Sequence, residues 1–216
     1  MIILCDLSEV LIGGWKTALK DIRAEYGLIT WLRMLMRFKK VREDFDDVLR
    51  GKTSKADGMK SFFAKTSLPL SQEELEIAFE KSIRKKVPGT WEIISRIDSH
   101  PANLKNRDVM VFGKPEIHIV TDNTPEYIAL AKEAHPDIFS QVKEVHISSE
   151  IGMVKKDFGF FSKFLKTNNM DPNECLSIDD SRHNVERAIE AGITGIVHDN
   201  EKDLCQQLKN LSIRIR

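Results

Sequence analysis

Residues 1–13 read MIILCDLSEVLIG, and this stretch decides the fold. Residues 2–5 are consecutively apolar, a pattern typical of a strand that is buried on both faces of a parallel sheet. This strand delivers Asp6 to a loop, where a buried carboxylate requires a cation or several hydrogen-bond donors. Two interpretations of Asp6 follow, because a strand-ending aspartate either caps local amides or acts as a nucleophile beside a metal.

The second half of the chain alternates between apolar strands and helices. Strands are predicted at residues 116–122, 144–148, 175–179 and 193–198. Together with the first strand they form a five-stranded parallel sheet, because short apolar strands separated by helices are typical of parallel pairing. The predicted fold class is therefore α/β, a Rossmann-like parallel sheet with a helical unit inserted after the first strand. In such sheets the carboxyl ends of the strands form the ligand crevice.

Residues 15–86 have helical periodicity, with apolar residues three and four positions apart. Gly27 and Gly51 are predicted to separate the first helices, and a third helix is predicted over residues 54–65. A fourth begins at Ser71, which forms a capping box with Glu74. Four helices without an intervening strand predict a small helical bundle.

The expected division of the chain is a core of residues 1–13 and 88–216 and a four-helix cap of residues 14–87. Residues 29–40 are both apolar and basic, so they suit a bundle helix and also a helix at a membrane surface, and the bundle is favoured. A short helix is expected over residues 91–97. Residues 100–115 form an unusually long connection, interpreted as either an edge hairpin or a functional flap.

The bulk composition limits the classes of function. The chain has 216 residues, with 33 basic and 33 acidic residues and a formal net charge of zero, so nucleic acid and membranes are not expected partners. Cys5, Cys175 and Cys205 are widely spaced and form no CxxC pair, which favours reduced thiols over a disulfide framework or a zinc site. Cys5 and Cys175 are predicted core residues. We expect a cytoplasmic protein.

Polar residues follow the predicted strands at the point where each strand ends: Asp6, Thr121, Asp122, Asn123, Asp179 and Asp180, with Lys155 beyond the third strand. Carboxylates that converge on one crevice repel each other unless a cation lies between them, and oxygen-only ligands favour Mg²⁺. A lysine and a hydroxyl complete a site for an anion such as a phosphoryl group. Each residue also has a simpler interpretation, Lys155 as a solvated side chain before a helix that begins near Asp157 and the others as turn or cap residues. Their shared position favours a site for phosphoryl transfer.

Four segments carry a resemblance to a known family. DLSEV, VTDN, GMVKKD and SIDDSRHNVERAIEAGI resemble, in order, the motifs of the haloacid dehalogenase (HAD) superfamily. The resemblance covers the whole chain, and its last motif is the most specific. Within the superfamily the chain is most similar to phosphatases with a small helical cap, which resemble sugar-phosphate phosphatases.

The resemblance implies a Mg²⁺-dependent phosphohydrolase that acts on a small phosphorylated metabolite through an aspartyl-phosphate. Asp6 is then the nucleophile, and Lys155 is the second catalytic residue. Thr121, Asp122 and Lys155 would bind the substrate. The implied metal ligands are Asp6, the backbone carbonyl of Ser8 and Asp180, with Asp179 in the outer shell.

The chain departs from this family pattern at Ser8. Phosphatases of the family usually carry a second aspartate there as the general acid and base, and Glu9 stands where glycine is common. General acid–base catalysis contributes about 10²- to 10⁴-fold, so the serine predicts a slow phosphatase unless Glu9 substitutes. Two rivals remain open: a carbon–halogen hydrolase, which the acidic pair disfavours, and a catalytically silent protein that binds a phosphorylated ligand.

Overall fold

A computed structural model describes residues 1–38, 42–66 and 70–216 of the chain. The described strands are β1 Ile2–Cys5, β2 Ile97–Pro101, β3 Met110–Phe112, β4 Glu116–Thr121, β5 Glu144–Ile147, β6 Cys175–Asp179, β7 Thr194–Val197 and β8 Arg214–Ile215. The longer helices are α1 Trp15–Phe38, α2 Arg42–Leu49, α3 Lys55–Thr66, α4 Gln72–Ile83, α5 Thr90–Ser95, α6 Pro125–Ala134, α9 Phe160–Thr167, α10 Arg182–Glu190 and α11 Glu201–Asn210. Two single-turn helices, α7 Pro136–Phe139 and α8 Ser148–Ile151, flank β5.

A five-stranded parallel sheet forms the centre of the molecule, in the order β5-β4-β1-β6-β7. β1 pairs with β4 on one side, Leu4 opposite His118, and with β6 on the other, Leu4 opposite Ser177. Ile3, Leu4 and Cys5 are fully or almost fully buried. The predicted α/β class and the five predicted strands are therefore confirmed. Because β1 lies where the strand order reverses, its carboxyl end opens into the crevice between β4 and β6.

Helices α1 to α4 follow β1, as the sequence predicts. Gly27 breaks α1 with a φ of 83°, and the capping box of Ser71 and Glu74 is present at the start of α4. The helix predicted between Gly27 and Gly51 is described as the second half of α1 and as α2, and residues 39–41 lie outside the described residues. The helices pack around buried apolar side chains: Leu19, Ile22, Met34, Met59, Phe62 and Leu75. The helices therefore have an apolar cluster of their own.

The connection at residues 100–115 forms a hairpin in a second sheet. β2 pairs antiparallel with β3, and β8 pairs with the other side of β2, giving the order β3-β2-β8. The edge-hairpin interpretation is therefore confirmed, whereas β8 was not predicted because two residues are too few to show a strand pattern. Ile97, expected at the end of a helix, begins β2, and the helix before it is α5.

Polar contacts hold α2 against the loop that carries Lys155. Arg50 donates two hydrogen bonds to Asp157, with N–O distances of 3.0 and 2.7 Å, and Lys156 forms an ion pair with Asp46. These contacts fix the inserted helices above the crevice. Within the three described ranges, no helix is long and apolar enough to cross a membrane.

Candidate active site

Lys155 lies at the centre of the crevice, in contact with two carboxylates. Its Nζ is 2.8 Å from Asp6 Oδ1 and 2.6 Å from Asp179 Oδ2, and the lysine is only 2% exposed. Burial alone would lower the pKa of Lys155, but Asp179 and Asp6 outweigh it and raise the pKa. Its backbone N–H donates to both carboxylate oxygens of Asp122, at 3.0 and 3.2 Å. Lys155 therefore stays charged and connects three of the strand-end aspartates.

Asp6 is held at the end of β1 by the sheet. Its N–H donates to Ile178 O at 2.9 Å, which continues the pairing of β1 with β6 by one residue. Burial raises the pKa of the Asp6 carboxyl, the Lys155 ammonium opposes this shift, and the nearby Asp179 adds to it. The buried carboxylate therefore needs more positive charge than Lys155 alone supplies.

Asp179 and Asp180 complete an acidic cluster with Asp6. Asp179 Oδ1 accepts hydrogen bonds from Ser181 N at 2.8 Å and from Asn184 Nδ2 at 3.2 Å, which fix its orientation. Asp180 forms an ion pair with Lys16 at the start of α1. One carboxylate oxygen from each of Asp6, Asp179 and Asp180 lies within 4.8 Å of the other two. An oxygen-only donor set with excess negative charge fits Mg²⁺.

The Ser8 hydroxyl belongs to a hydrogen-bonded chain beside the cluster. Asn123 Nδ2 donates to Thr121 Oγ1 at 2.8 Å and to Ser8 Oγ at 3.2 Å. Ser8 Oγ lies 3.0 Å from the Tyr127 hydroxyl, which donates to Gly13 O at 3.1 Å. Since the Tyr127 proton is directed to Gly13, Ser8 donates to Tyr127. Burial raises the pKa of Tyr127, so this phenol stays protonated.

Glu9 has a structural role. Its Oε1 accepts from Gly14 N at 3.1 Å and Thr17 N at 2.8 Å, and its Oε2 accepts from Thr17 Oγ1 at 2.9 Å. These bonds cap the start of α1 and hold Glu9 at a φ of 64°, in the left-handed region that favours glycine. The Glu9 carboxylate is therefore occupied and directed away from an acid–base role.

The structure brings the predicted residues together at one edge of the sheet: Asp6, Ser8, Thr121, Asp122, Lys155, Asp179 and Asp180. Sequence reasoning missed two participants, Tyr127 and Lys16. Tyr127 follows the VTDN segment by four residues, in the first turn of α6, and this spacing is the signal that marks it. Lys16 has no such signal, because its position depends on how α1 lies over the crevice.

Comparison with known proteins gives structural matches. No protein-family model and no curated protein sequence matches this chain. A predicted HAD-like hydrolase from Porphyromonas gingivalis superposes with a TM-score of 0.66 at 16% identity, over 98% of this chain and 97% of that one. A HAD family enzyme from Bacteroides thetaiotaomicron, in complex with magnesium and inorganic phosphate, gives 0.56 at 17% identity, over 92% of this chain and 94% of that one.

A third similar structure is that of a haloacid dehalogenase. L-2-haloacid dehalogenase from Xanthobacter autotrophicus, with chloropropionic acid covalently bound, superposes with a TM-score of 0.61 at 10% identity, over 99% of this chain and 84% of that one. The chain has the HAD fold. The resemblance seen in the four sequence motifs is confirmed at this level. Since one of these neighbours binds magnesium and inorganic phosphate and another is a haloacid dehalogenase, the reaction must be inferred from the site itself.

The raised pKa of Asp6 predicts how stability depends on pH in metal-free buffer. An unfolded aspartate loses its proton near pH 3.9, whereas folded Asp6 keeps it to higher pH. The folded state then binds more protons, so the free energy of unfolding falls as pH rises from about 4 through the raised pKa. We expect Asp6→Asn to remove this pH dependence. Its free energy of unfolding, relative to that of the native protein, should then rise by roughly 1 kcal/mol or more between pH 5 and pH 8.

Urea unfolding in excess chelator at several pH values measures this difference. Asp108→Asn is the matched control, because Asp108 is exposed and its change should leave the pH slope as it is. Parallel pH profiles for the native protein and Asp6→Asn would contradict the burial argument.

Proposed function

We propose that the protein is a Mg²⁺-dependent phosphohydrolase that cleaves a phosphate monoester through an aspartyl-phosphate on Asp6. The observation that carries this proposal is the Lys155 ammonium, 2.8 Å from Asp6 and 2.6 Å from Asp179, beside the three-carboxylate cluster. A nucleophilic carboxylate beside a fixed cation and a Mg²⁺-type donor set is the arrangement that phosphoryl transfer requires.

The proposed reaction has two steps. A carboxylate oxygen of Asp6 attacks phosphorus, and the P–O bond to the leaving group breaks, so the leaving oxygen takes the electron pair and gains a proton from water. Water then attacks the phosphorus of the aspartyl-phosphate, which releases inorganic phosphate and restores the Asp6 carboxylate. Lys155 and the Thr121 hydroxyl hold phosphoryl oxygens in both steps.

The residues present fit a Mg²⁺ ion. Asp6 and Asp180 would hold it with the Ser8 backbone carbonyl, and Asp179 would act from the outer shell, since its oxygens accept bonds from Ser181, Asn184 and Lys155. When bound, the ion supplies positive charge to neutralise the phosphoryl oxygens. The residues' own contribution is to hold the nucleophile and the phosphoryl group in line.

The two rivals differ from the proposal in chemistry. A carbon–halogen hydrolase also uses a nucleophilic aspartate, and one structural neighbour is such an enzyme. Its substrate carries no phosphoryl charge, so it has no need of the Asp179–Asp180 pair beside the nucleophile. A silent phosphate binder would keep the whole site, and Ser8 is the feature that supports it. Measurements of phosphate and chloride release distinguish the phosphohydrolase, the carbon–halogen hydrolase and the silent phosphate binder.

Activity on p-nitrophenyl phosphate should require both Mg²⁺ and Asp6. We expect Asp6→Asn to reduce turnover to background, because the amide keeps the shape but cannot attack phosphorus. Asp180→Asn should raise the Mg²⁺ concentration for half-maximal activity by about tenfold or more, since it removes a charged ligand. Phosphate release, with Asp108→Asn as the control, measures both effects.

Two other outcomes have distinct meanings. Chloride release from 2-chloropropionate in excess chelator would favour the dehalogenase. Mg²⁺-dependent phosphate binding by calorimetry without any turnover would favour the silent binder.

Ser8→Asp should increase turnover of substrates whose leaving group needs a proton. The serine is already within reach of Asn123 and Tyr127, so a carboxyl there would be held in the same hydrogen-bonded chain. We expect about a tenfold or greater gain for an alkyl phosphate and little gain for p-nitrophenyl phosphate, whose leaving group departs as a stable anion. Ser8→Asn is the matched control, since asparagine has nearly the same shape as aspartate but cannot act as an acid. Equal rates for Ser8→Asp and Ser8→Asn would show that the missing acid does not limit the site.

The shape of the substrate is suggested by a cavity of about 950 Å³ between the inserted helices and the crevice. Its polar end includes Ser8, Asp122 and Asn123, beside the Asp6 site. Most of the remaining wall is apolar and includes Trp15, Leu35, Phe45, Phe79, Ile83 and Leu130. Lys55, Glu76 and Glu80 also line the cavity, but apolar side chains make up most of its wall. The cavity therefore favours a phosphate ester with a large apolar part over the sugar phosphate that the resemblance implies.

The cavity predicts a dependence of kcat/KM on the chain length of n-alkyl phosphates. Burial of a methylene contributes about 0.8 kcal/mol, so each added methylene should raise kcat/KM by up to about fourfold until the cavity is filled. Phe79→Asn should flatten this dependence. Ile77→Asn on the same helix is the control, because Ile77 is 44% exposed and does not line the cavity. A higher kcat/KM for glucose 6-phosphate than for octyl phosphate would contradict the assignment.

A further inference from the structure

Two histidines lie side by side on neighbouring strands, away from the Asp6 crevice. His118 of β4 is opposite Glu144 of β5, and His146 follows Glu144 by two residues. Alternate residues of a strand face the same side, so His118, Glu144 and His146 share one face of the sheet. His118 and His146 are 4% and 9% exposed, and the ring of Phe164 covers His146 with a centroid distance of 4.8 Å. These three side chains form the β4–β5 cluster.

The donor atoms of the β4–β5 cluster converge. His118 Nδ1 is 3.1 Å from His146 Nε2, and His146 Nε2 is 3.6 Å from Glu144 Oε2. One donor atom from each of the three residues lies within 4.8 Å of the others. Zinc–nitrogen bonds of about 2.0–2.1 Å place tetrahedral ligands about 3.3 Å apart. The observed spacing is therefore close to that of bound ligands, and small side-chain rotations would complete it.

We propose that His118, His146 and Glu144 bind a divalent transition-metal ion, with Zn²⁺ as the best match. Two imidazoles and one carboxylate form a borderline donor set that favours Zn²⁺, Ni²⁺ or Cu²⁺ over Mg²⁺. The site is distinct from the Asp6, Asp179 and Asp180 cluster, which offers oxygen alone. Water supplies the fourth ligand.

Glu116, which is not one of the three proposed ligands, also supports the metal site. His118 Nε2 is buried and has no hydrogen-bond partner among the described residues, and Glu116 Oε2 lies 3.6 Å from it. Metal-binding histidines commonly donate their second ring N–H to a carboxylate, which fixes the tautomer and raises the basicity of the ligand nitrogen. Glu116 is in place to accept that proton once the ring shifts by a few tenths of an ångström. Metal binding by His118 Nδ1 would therefore explain why the Glu116 carboxylate lies beside the buried His118 Nε2.

The alternative is a purely structural pair, in which one neutral imidazole donates a hydrogen bond to the other. This interpretation accounts for the 3.1 Å contact but assigns no role to the Glu144 carboxylate, which lies 3.6 Å from His146 Nε2. A bound ion would bridge β4 to β5, the outer strand of the sheet, and would stabilise the folded state in proportion to its affinity. The expected role is therefore stability rather than catalysis.

The test titrates Zn²⁺ into the metal-free full-length chain in excess Mg²⁺, which occupies the oxygen site. We expect one tight Zn²⁺ per chain by calorimetry, a rise in the thermal unfolding midpoint, and tetrahedral absorption bands when Co²⁺ replaces Zn²⁺. His118→Gln should abolish the tight binding, Glu144→Gln should weaken it, and Glu116→Gln should weaken it about tenfold or more. Glu150→Gln, an exposed glutamate of α8, is the matched control and should bind as the native chain does.

Each other result has a defined meaning. Equal Zn²⁺ affinity in the native chain and in both His118→Gln and Glu144→Gln would overturn the site and place the ion elsewhere. Absence of tight binding to a folded native chain would also overturn it and leave the histidines as a structural pair. Glu144→Gln keeps the proposal testable if His118→Gln does not fold, because Glu144 is exposed and tolerates an uncharged isostere.

Discussion

The site depends on one buried cation shared by two carboxylates. The Lys155 ammonium draws Asp6 and Asp179 together across the boundary between β1 and β6, and the backbone of the same residue holds Asp122. Loss of one partner from a buried ion pair costs about 3–5 kcal/mol, so this lysine is as much a structural residue as a chemical one. The three aspartates come from three separate strand ends, and Lys155 sets how far apart they stand.

Three ion pairs join the inserted helices to the core that holds this cation. Contacts from Asp46, Arg50 and Lys16 join them to the loops of the core, and each contact is an ion pair. Ion pairs at a partly exposed surface are weak and screened by salt, unlike the apolar cluster inside the helices themselves. The inserted helices therefore have an apolar interior of their own, and the ion pairs that join them to the core weaken as the salt concentration rises.

The sequence predicted the parts of the molecule that repeat a simple pattern. The buried strands could be predicted because they are short apolar runs. The polar residues that follow them could be assigned to one crevice because the carboxyl ends of parallel strands lie at the same edge of the sheet. Tyr127 was missed although its spacing from the VTDN segment marks it, and Lys16 could not be predicted, since its contact depends on how a helix lies over the sheet. β8 was missed because two residues carry no periodicity. Glu9 was considered as an acid, and only its bonds to Gly14 and Thr17 show that it caps α1.

The position of β1 in the middle of the sheet has a consequence for folding. Ile2 pairs with Glu116 on one side and with Cys175 on the other, so the strand that carries Asp6 can complete its pairing only with strands from the distant second half of the chain. Contacts between residues so far apart in sequence slow folding, whereas the inserted helices are built from near neighbours. We therefore expect the helices to form early on the folding pathway and the crevice to assemble last.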